Sequence, residues 1–366
     1  PFFEPGLEEL IKVNLDLGRL TFTSDISVAT SNSEVVFVAV GTPMNHDGES
    51  VNLRDICTVF KQLSSALNKN TLVVVKSTVP VGTNRMLRNM VRNLNPTLDF
   101  DIVSNPEFLR QGSAIQDFRN PDRIIVGSET EKSRDIMEII YKIGKLSKVP
   151  MLHTGLESAE LTKYAANAFL ATKISFINEI AALCEEVGAD VNIVSKGLGL
   201  DERIGTRFLN AGPGYGGSCF PKDAAALVHL GKEKNVPQLV TEAGIIANNA
   251  TKKRMIINIL NLCGGSVKGK TILVLGVTFK ADTGDMREAP SLTIIPELIK
   301  KGANIRIVDP LGMNEGSSLF LEAKWYDDVY IAAKYTDCIV ILTDWRDFKD
   351  LDLCRIASKM QKKSIG

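Results

Sequence analysis

The sequence predicts an α/β protein: two Rossmann-like parallel-sheet domains joined by a helical central domain with a long connecting helix, the first sheet domain incomplete. Three observations predict it. Short β-branched runs alternate with helical patterns through residues 1–155 and again through 259–366, the mark of parallel sheets covered by helices. Residues 156–258 between them keep a helical period and hold no strand-like run. A dinucleotide-binding sheet opens with strand, glycine-rich turn, helix, strand and acid, and no such unit stands ahead of the first run. The first domain is therefore expected to lack its first βαβ unit.

Leu7 to Leu17 reads as a helix entered through Pro5-Gly6. Val35-Val36-Phe37-Val38-Ala39-Val40 is a continuous apolar run, the pattern of a strand buried on both faces, and it ends in Gly41-Thr42-Pro43. A helix over Leu53–Leu67 leads to a second such strand, Thr71 to Thr78. A helix over Asn84–Asn93, a strand over Asp101–Glu107 and a fourth strand over Arg123–Gly127 follow. Parallel sheets bind ligands beyond the strand carboxyl ends, and here those ends are small or polar: Gly41-Thr42-Pro43, Ser77-Thr78 and Asn105-Pro106-Glu107. Ordinary polar turns would look the same.

From Glu157 to Val187 one alanine-rich helix is expected, stopped by Gly188. At 1.5 Å per residue it would be about 45 Å long, enough to link two domains. Its small residues allow close packing against another helix, a dimer partner's included. Lys163 and Asn167 fall one turn apart on it, a pair that by itself reads as a solvated face. Further helices reach Leu262, broken at Val236-Pro237. The second sheet then takes Thr271–Gly276, Asn304–Asp309 and Asp337–Thr343 as strands. The polar loop Phe279 to Arg287 offers Lys280 or Arg287 for phosphates.

The densest chemistry is the run Gly212-Pro213-Gly214-Tyr215-Gly216-Gly217-Ser218-Cys219-Phe220-Pro221-Lys222-Asp223. Its glycines permit backbone angles that other residues avoid and leave room for a ligand. Ser218 is a candidate N-cap for the helix that follows, and Pro221 suits a first turn. Cys219 then sits at a helix N-terminus, where the dipole favours thiolate, with Asp223 one turn on. The arrangement suits covalent catalysis; a tight turn with a half-buried thiol is the simpler alternative. Gly212, Gly214 and Gly217 also match G-x-G-x-x-G, but no apolar strand precedes them, so the dinucleotide reading fails.

Composition narrows the classes. The 366 residues are 44% hydrophobic and 23% charged, with 43 basic and 43 acidic side chains. Nothing in that balance suggests nucleic acid or a membrane surface, and no apolar run is long enough to span a bilayer. The six cysteines and three histidines are scattered, so no metal site is expected and reduced thiols of a cytoplasmic protein are. A thiol hydrolase would want a histidine base near Cys219, and His229 lies about three helical turns away.

Gly216 to Asp223 resembles the catalytic motif of the nucleotide-sugar dehydrogenases, the UDP-glucose/GDP-mannose dehydrogenase family. Nearly the whole chain shares the resemblance: Val40 to Pro43, Lys76 to Thr83, Asn105 to Arg110, Asn120 to Arg123, Lys163 with Asn167, Arg203 to Gly205 with Phe208 to Asn210, and Phe279-Lys280 with Thr283 to Asp285 and Arg287. It implies a four-electron oxidation of a sugar C6 alcohol to a carboxylate with NAD as cofactor. Asp223 with Lys163, Asn167 and a water would relay the hydroxyl proton. Cys219 would form a thiohemiacetal and then a thioester, Lys163 and Asn167 would stabilise the oxyanion, and Glu107, with Thr78 nearby, would activate the hydrolytic water.

The same resemblance assigns substrate contacts to Phe108, Leu109, Arg110, Gln111, Lys163, Asn167, Phe208, Leu209, Asn210, Tyr215, Gly216, Phe279 and Lys280. Arg203 is expected to reach the neighbouring subunit's site in a homodimer. Cofactor contacts fall on Val40, Gly41, Thr42, Pro43, Ser77, Thr78, Gln111, Cys219, Lys222 and Arg287. The motif is most similar to the UDP-glucose branch; the GDP-mannose branch more often has Leu after the cysteine, and the UDP-N-acetylmannosamine branch has His before it. Three departures stand out. The opening glycine-rich turn with its ribose-binding acid is missing, the chain ends at Ser364-Ile365-Gly366 before a glycine-arginine tail motif, and Gln111 replaces a common Glu. These leave a non-catalytic nucleotide-sugar-binding remnant as the competing reading.

Overall fold

The computed structural model describes residues 4–68, 70–142, 146 and 148–361; the Ser364-Ile365-Gly366 end lies outside the described residues. Two compact units emerge, residues 4–166 with 225–236, and residues 167–224 with 237–361. The first unit contains α1 (Leu7–Asp16), α2 (Ile26–Thr30), β1 (Val35–Val38), α3 (Arg54–Ala66), β2 (Thr71–Val75), α4 (Thr83–Leu94) and β3 (Phe100–Ser104). It continues through α5 (Ala114–Arg119), β4 (Ile124–Gly127), α6 (Glu131–Tyr141) and β5 (Met151–Thr154). Its sheet runs β1-β2-β3-β4-β5.

Alternation along β2 and β3 builds the two faces of this sheet. Val73, Val75 and Ile102 pack with Ile56, Phe60 and Leu63 of α3 and Leu87 and Val91 of α4. Leu72, Val74 and Val103 point the other way, with Met137 and Tyr141 of α6. Two expectations need correction. The sheet is not wholly parallel: β3 pairs antiparallel with β4, through Ser104 and Gly127. And β1 is not buried on both faces, because β2 is its one partner strand and Phe37 remains 45% exposed.

Helix α7 (Leu156–Val187) is the expected long helix, 32 residues without interruption. The second unit adds α8 (Val191–Gly199), the opening turn of α9 (Phe220–Glu233) and α10 (Leu239–Leu262). It then has β6 (Thr271–Leu275), α11 (Ser291–Lys300), β7 (Asn304–Val308), α12 (Met313–Leu319), β8 (Lys324–Trp325), α13 (Val329–Ala332), β9 (Cys338–Ile341), α14 (Arg346–Lys349) and α15 (Leu353–Lys359). The sheet order is β8-β7-β6-β9, all parallel. The order reverses at β6, so β6 and β9 flank the crevice where such sheets receive nucleotides. Asp309, just after β7, braces this end. Its carboxylate accepts hydrogen bonds from Val277 N (2.7 Å), Leu311 N (2.9 Å), Gly312 N (2.6 Å) and Trp345 Nε1 (3.3 Å).

Candidate active site

In the second unit the glycine loop is fixed by its neighbours. The Asn248 side chain, on α10 and 4% exposed, accepts from Tyr215 N (2.8 Å) and donates to Tyr215 O (3.1 Å). Asn178 on α7 accepts from Gly212 N at 2.8 Å. Gly217 N donates to Arg287 O at 2.8 Å. Glycine is required at two of these positions: a Cβ on Gly216 would stand 2.2 Å from Glu288 O, and one on Gly217, whose φ is +83°, would stand 2.8 Å from the Phe279 ring. The loop therefore presses backbone-first onto the segment that follows β6.

The loop delivers Cys219 to the mouth of α9, where it is exposed. Asp223 N donates to Cys219 O at 2.8 Å, so the capping position belongs to Cys219 and the expected Ser218 lies one residue earlier. The Ser218 hydroxyl is 3.6 Å from the Cys219 sulfur. One turn into the helix Asp223 is 1% exposed. It accepts from Asn167 Nδ2 at 2.6 Å and from Lys222 Nζ at 2.6 Å. Burial without those donors would be costly; with them it fixes the carboxylate's orientation. Lys222, expected at the cofactor, thus also braces Asp223.

Aromatic rings support the same turn. Phe220 packs against Phe208 (5.9 Å between centroids) and edge-on to Tyr215 (6.2 Å). Burial pushes the Tyr215 phenol up to about 12. Leu209 is buried at 3%, its carbonyl accepting from Ser195 Oγ at 2.7 Å, and Asn210 is exposed. Arg287 forks onto the buried Asp285 (2.9 and 2.5 Å), which raises the guanidinium pKa further, and the Cys219 charge adds to that. Phe279 and Lys280 are half-buried, with the Lys280 ammonium 5.9 Å from the Phe279 ring. Arg203 forks onto Asp201 and its side chain is 89% exposed.

In the first unit the segment after β3 carries the second set. Lys163 on α7 is 3% exposed, so it is no solvated-face lysine. Its Nζ lies 3.4 Å from Glu107 Oε1 and 5.1 Å from the Phe108 ring centroid. Arg123 covers the same ring at 4.0 Å. The other Glu107 oxygen accepts from Leu109 N at 2.5 Å. Arg110 is bound to Asp117 of α5 (2.6 and 3.0 Å), and Gln111 is half-buried. Lys163 and Asn167 both stand on the uninterrupted α7, one turn apart.

The strand ends of this unit are bonded to one another. Thr42 Oγ1 donates to Thr78 O and Ser77 Oγ to Val40 O, both at 2.7 Å, tying the ends of β1 and β2 together. Gly41 and Pro43 are exposed, and nothing stands within 4 Å of a Cβ built on Gly41. The amides opening α4 offer no phosphate cradle, since the buried Glu160 accepts from Gly82 N (2.6 Å) and Asn84 N (2.8 Å). Burial raises the Glu160 pKa against those hydrogen bonds.

Sequence reasoning assigned no role to Asn248, Asn178, Glu160 or Asp309. The available signal was polarity out of place, as with Asn248 and Lys252 at i and i+4 on the α10 face that buries Ala247, Ile256 and Ile259. Among the described residues no group of three or more His, Cys, Asp or Glu could hold a metal ion, and no helix is long and apolar enough to cross a membrane.

Two α/β sheets open at their carboxyl ends and a thiol beside a buried amide–carboxylate pair define a dinucleotide-dependent oxidoreductase. Models of the UDP-glucose/GDP-mannose dehydrogenase family match along the chain: the NAD binding domain over residues 1–145, the central domain over 157–250 and the UDP binding domain over 273–365. The chain belongs to this family, and its cofactor is NAD. It is 44% identical to the UDP-glucose 6-dehydrogenase of Rhizobium meliloti over 99% of this chain and 83% of that one. With the UDP-glucose 6-dehydrogenase TuaD of Bacillus subtilis it shares 45% over 100% and 78%. A solved UDP-glucose dehydrogenase from Pyrobaculum islandicum superposes with a TM-score of 0.91 at 33% identity, covering 99% of this chain and 86% of that one.

Proposed function

We propose that the protein is a UDP-glucose 6-dehydrogenase, oxidising the sugar C6 alcohol to the carboxylate of UDP-glucuronate. The observation that carries this reading is Asn167 bonded to the buried Asp223 one helical turn from the exposed Cys219. The 44% and 45% identity to enzymes of that name supports the substrate. NAD, when bound, supplies the two-electron acceptor for each of the two oxidations; Val40 to Pro43, Ser77, Thr78, Gln111, Cys219, Lys222 and Arg287 would hold it.

The chain's own residues do the rest. Asp223, oriented by Asn167 and Lys222, receives the C6 hydroxyl proton through a water. The Cys219 thiolate adds to the aldehyde carbon to give a thiohemiacetal, whose oxyanion is stabilised by the Lys163 ammonium and the Asn167 amide. Once the second oxidation has made a thioester, Glu107 takes a proton from the attacking water and Cys219 leaves as thiolate. Thr78 helps position these groups. Phe108 to Gln111, Phe208 to Asn210, Tyr215, Gly216, Phe279 and Lys280 bind the nucleotide sugar. The exposed Arg203 serves the neighbouring site of a homodimer. In this reading residues 1–155 bind NAD, 156–258 dimerise and carry Cys219, and 259–366 bind the UDP moiety. A cytoplasmic location agrees with six free thiols.

Following NADH formation with UDP-glucose, GDP-mannose and UDP-N-acetylmannosamine tests the assignment. Turnover is expected with UDP-glucose at a kcat/KM far above the other two. Preference for either competitor overturns the substrate.

A further inference from the structure

Three polar side chains, the buried Asn105 and Tyr141 and the half-buried Lys76, meet behind Glu107, and the reaction as derived uses none of them. Asn105, directly after β3, is fully buried. Its Oδ1 accepts from Lys76 Nζ (2.9 Å) and Tyr141 OH (2.6 Å), and its Nδ2 donates to Ile125 O of β4 (2.7 Å). Lys76 Nζ also donates to Tyr141 OH at 3.1 Å. Lys76 follows β2 and Tyr141 closes α6, so the network ties two strand ends, a helix end and β4 to the residue two positions before Glu107. Pro106, with its fixed φ, is the one residue between.

A brace alone would not need a charge. Neutral side chains of similar volume fill such a site without the desolvation cost of an ammonium. Burial pushes the Lys76 ammonium down to about 8, Glu107 pulls it back up, and Lys163 pushes it down again. Glu107 thus serves as counter-ion to two lysines, one of them 3.4 Å away.

We infer that Lys76, seated by Asn105 and Tyr141, is a positioning residue for Glu107: it fixes the segment that presents this carboxylate and sets a positive charge facing it for water activation. The inference rests on Glu107 being the base of thioester hydrolysis. The charged and titratable groups facing Lys76 are Glu107, Lys163 and Tyr141, whose phenol burial pushes up to about 12. Loss of the cation would remove one of the two lysine charges that face Glu107.

The test is the pH profile of acyl-enzyme breakdown in single turnovers with UDP-glucose and NAD. Lys76→Met should move the acid midpoint up by about one pH unit, the order of one nearby charge in a partly buried site. Lys76→Arg should restore it. Tyr141→Phe, which keeps the cation and loosens its seat, should move it less and covers the case that Lys76→Met fails to fold. Folded Lys76→Met and Tyr141→Phe enzymes with unmoved midpoints would overturn the inference. Glu107→Gln separates the two claims: it should accumulate thioester, and wild-type breakdown in that variant would overturn the base assignment itself.

Discussion

Asn248→Ala is the perturbation that best isolates how the thiol is held. The side chain replaces a backbone partner for Tyr215, accepting from its N–H at 2.8 Å and donating to its C=O at 3.1 Å. Both peptide groups are buried with the residue, which is 6% exposed. A buried group left without a partner costs about 1–3 kcal/mol, so the two together cost roughly 2–5 kcal/mol. For a unit of this size that is a fall in Tm of roughly 5–15 °C. Cys219 follows Tyr215 closely in the same loop, so the rate of Cys219 alkylation by a bulky reagent should also change. The control is the exposed neighbour Asn249→Ala, expected within about 0.5 kcal/mol of wild type. Thermal unfolding and alkylation of both variants decide it. If Asn248→Ala matched Asn249→Ala in Tm and alkylation rate, the loop would be held by something else.

Asp309→Ala should destabilise the second unit by roughly 3–5 kcal/mol, because Val277 N, Leu311 N and Gly312 N lose a charged acceptor together; urea unfolding reads this directly. Stability should rise between pH 8 and 10, since Lys76 titrates near 8 when folded and near 10.5 when unfolded, so the unfolded chain binds more protons there. The gain is about 2–3 kcal/mol, and Lys76→Met should remove it from the pH dependence of unfolding. On the proposed homodimer, Arg203→Ala and Cys219→Ser should each be inactive. Activity regained on mixing and refolding them is expected of a site completed by the neighbour, and no regain would place Arg203 elsewhere.

Central strands were legible because burial on both faces forces uninterrupted apolar sequence, as in β2 and β6. The edge strands β5 and β8 were not. β8 is two residues long, and β5 mixes His153 and Thr154 into a short run. The reversal of direction at β4 was hidden because strand order and sense depend on partners rather than on the strand's own pattern. At the site, spacing alone paired Cys219 with Asp223 in one loop, whereas Lys163 and Asn167, one turn apart on a helix, read as a solvated face until the family resemblance gave them a role. What joins them was not legible. The Asn167–Asp223 bond spans 56 positions, Glu160 reaches 76 back to Asn84, and Asn248 reaches 33 back to Tyr215. Such pairings leave no local period. Asp309 showed its position after β7 but not its task, for its partners arrive from two other strand ends.

The central claim is that one site carries two successive oxidations, the second of them on the Cys219 thiol. Its most direct test is the yield of NADH per UDP-glucose consumed, for wild type and for Cys219→Ser, with UDP-glucose binding checked by calorimetry. The account predicts two NADH per sugar for wild type and loss of turnover in Cys219→Ser with binding retained. Two NADH per sugar from Cys219→Ser at the wild-type rate would contradict it.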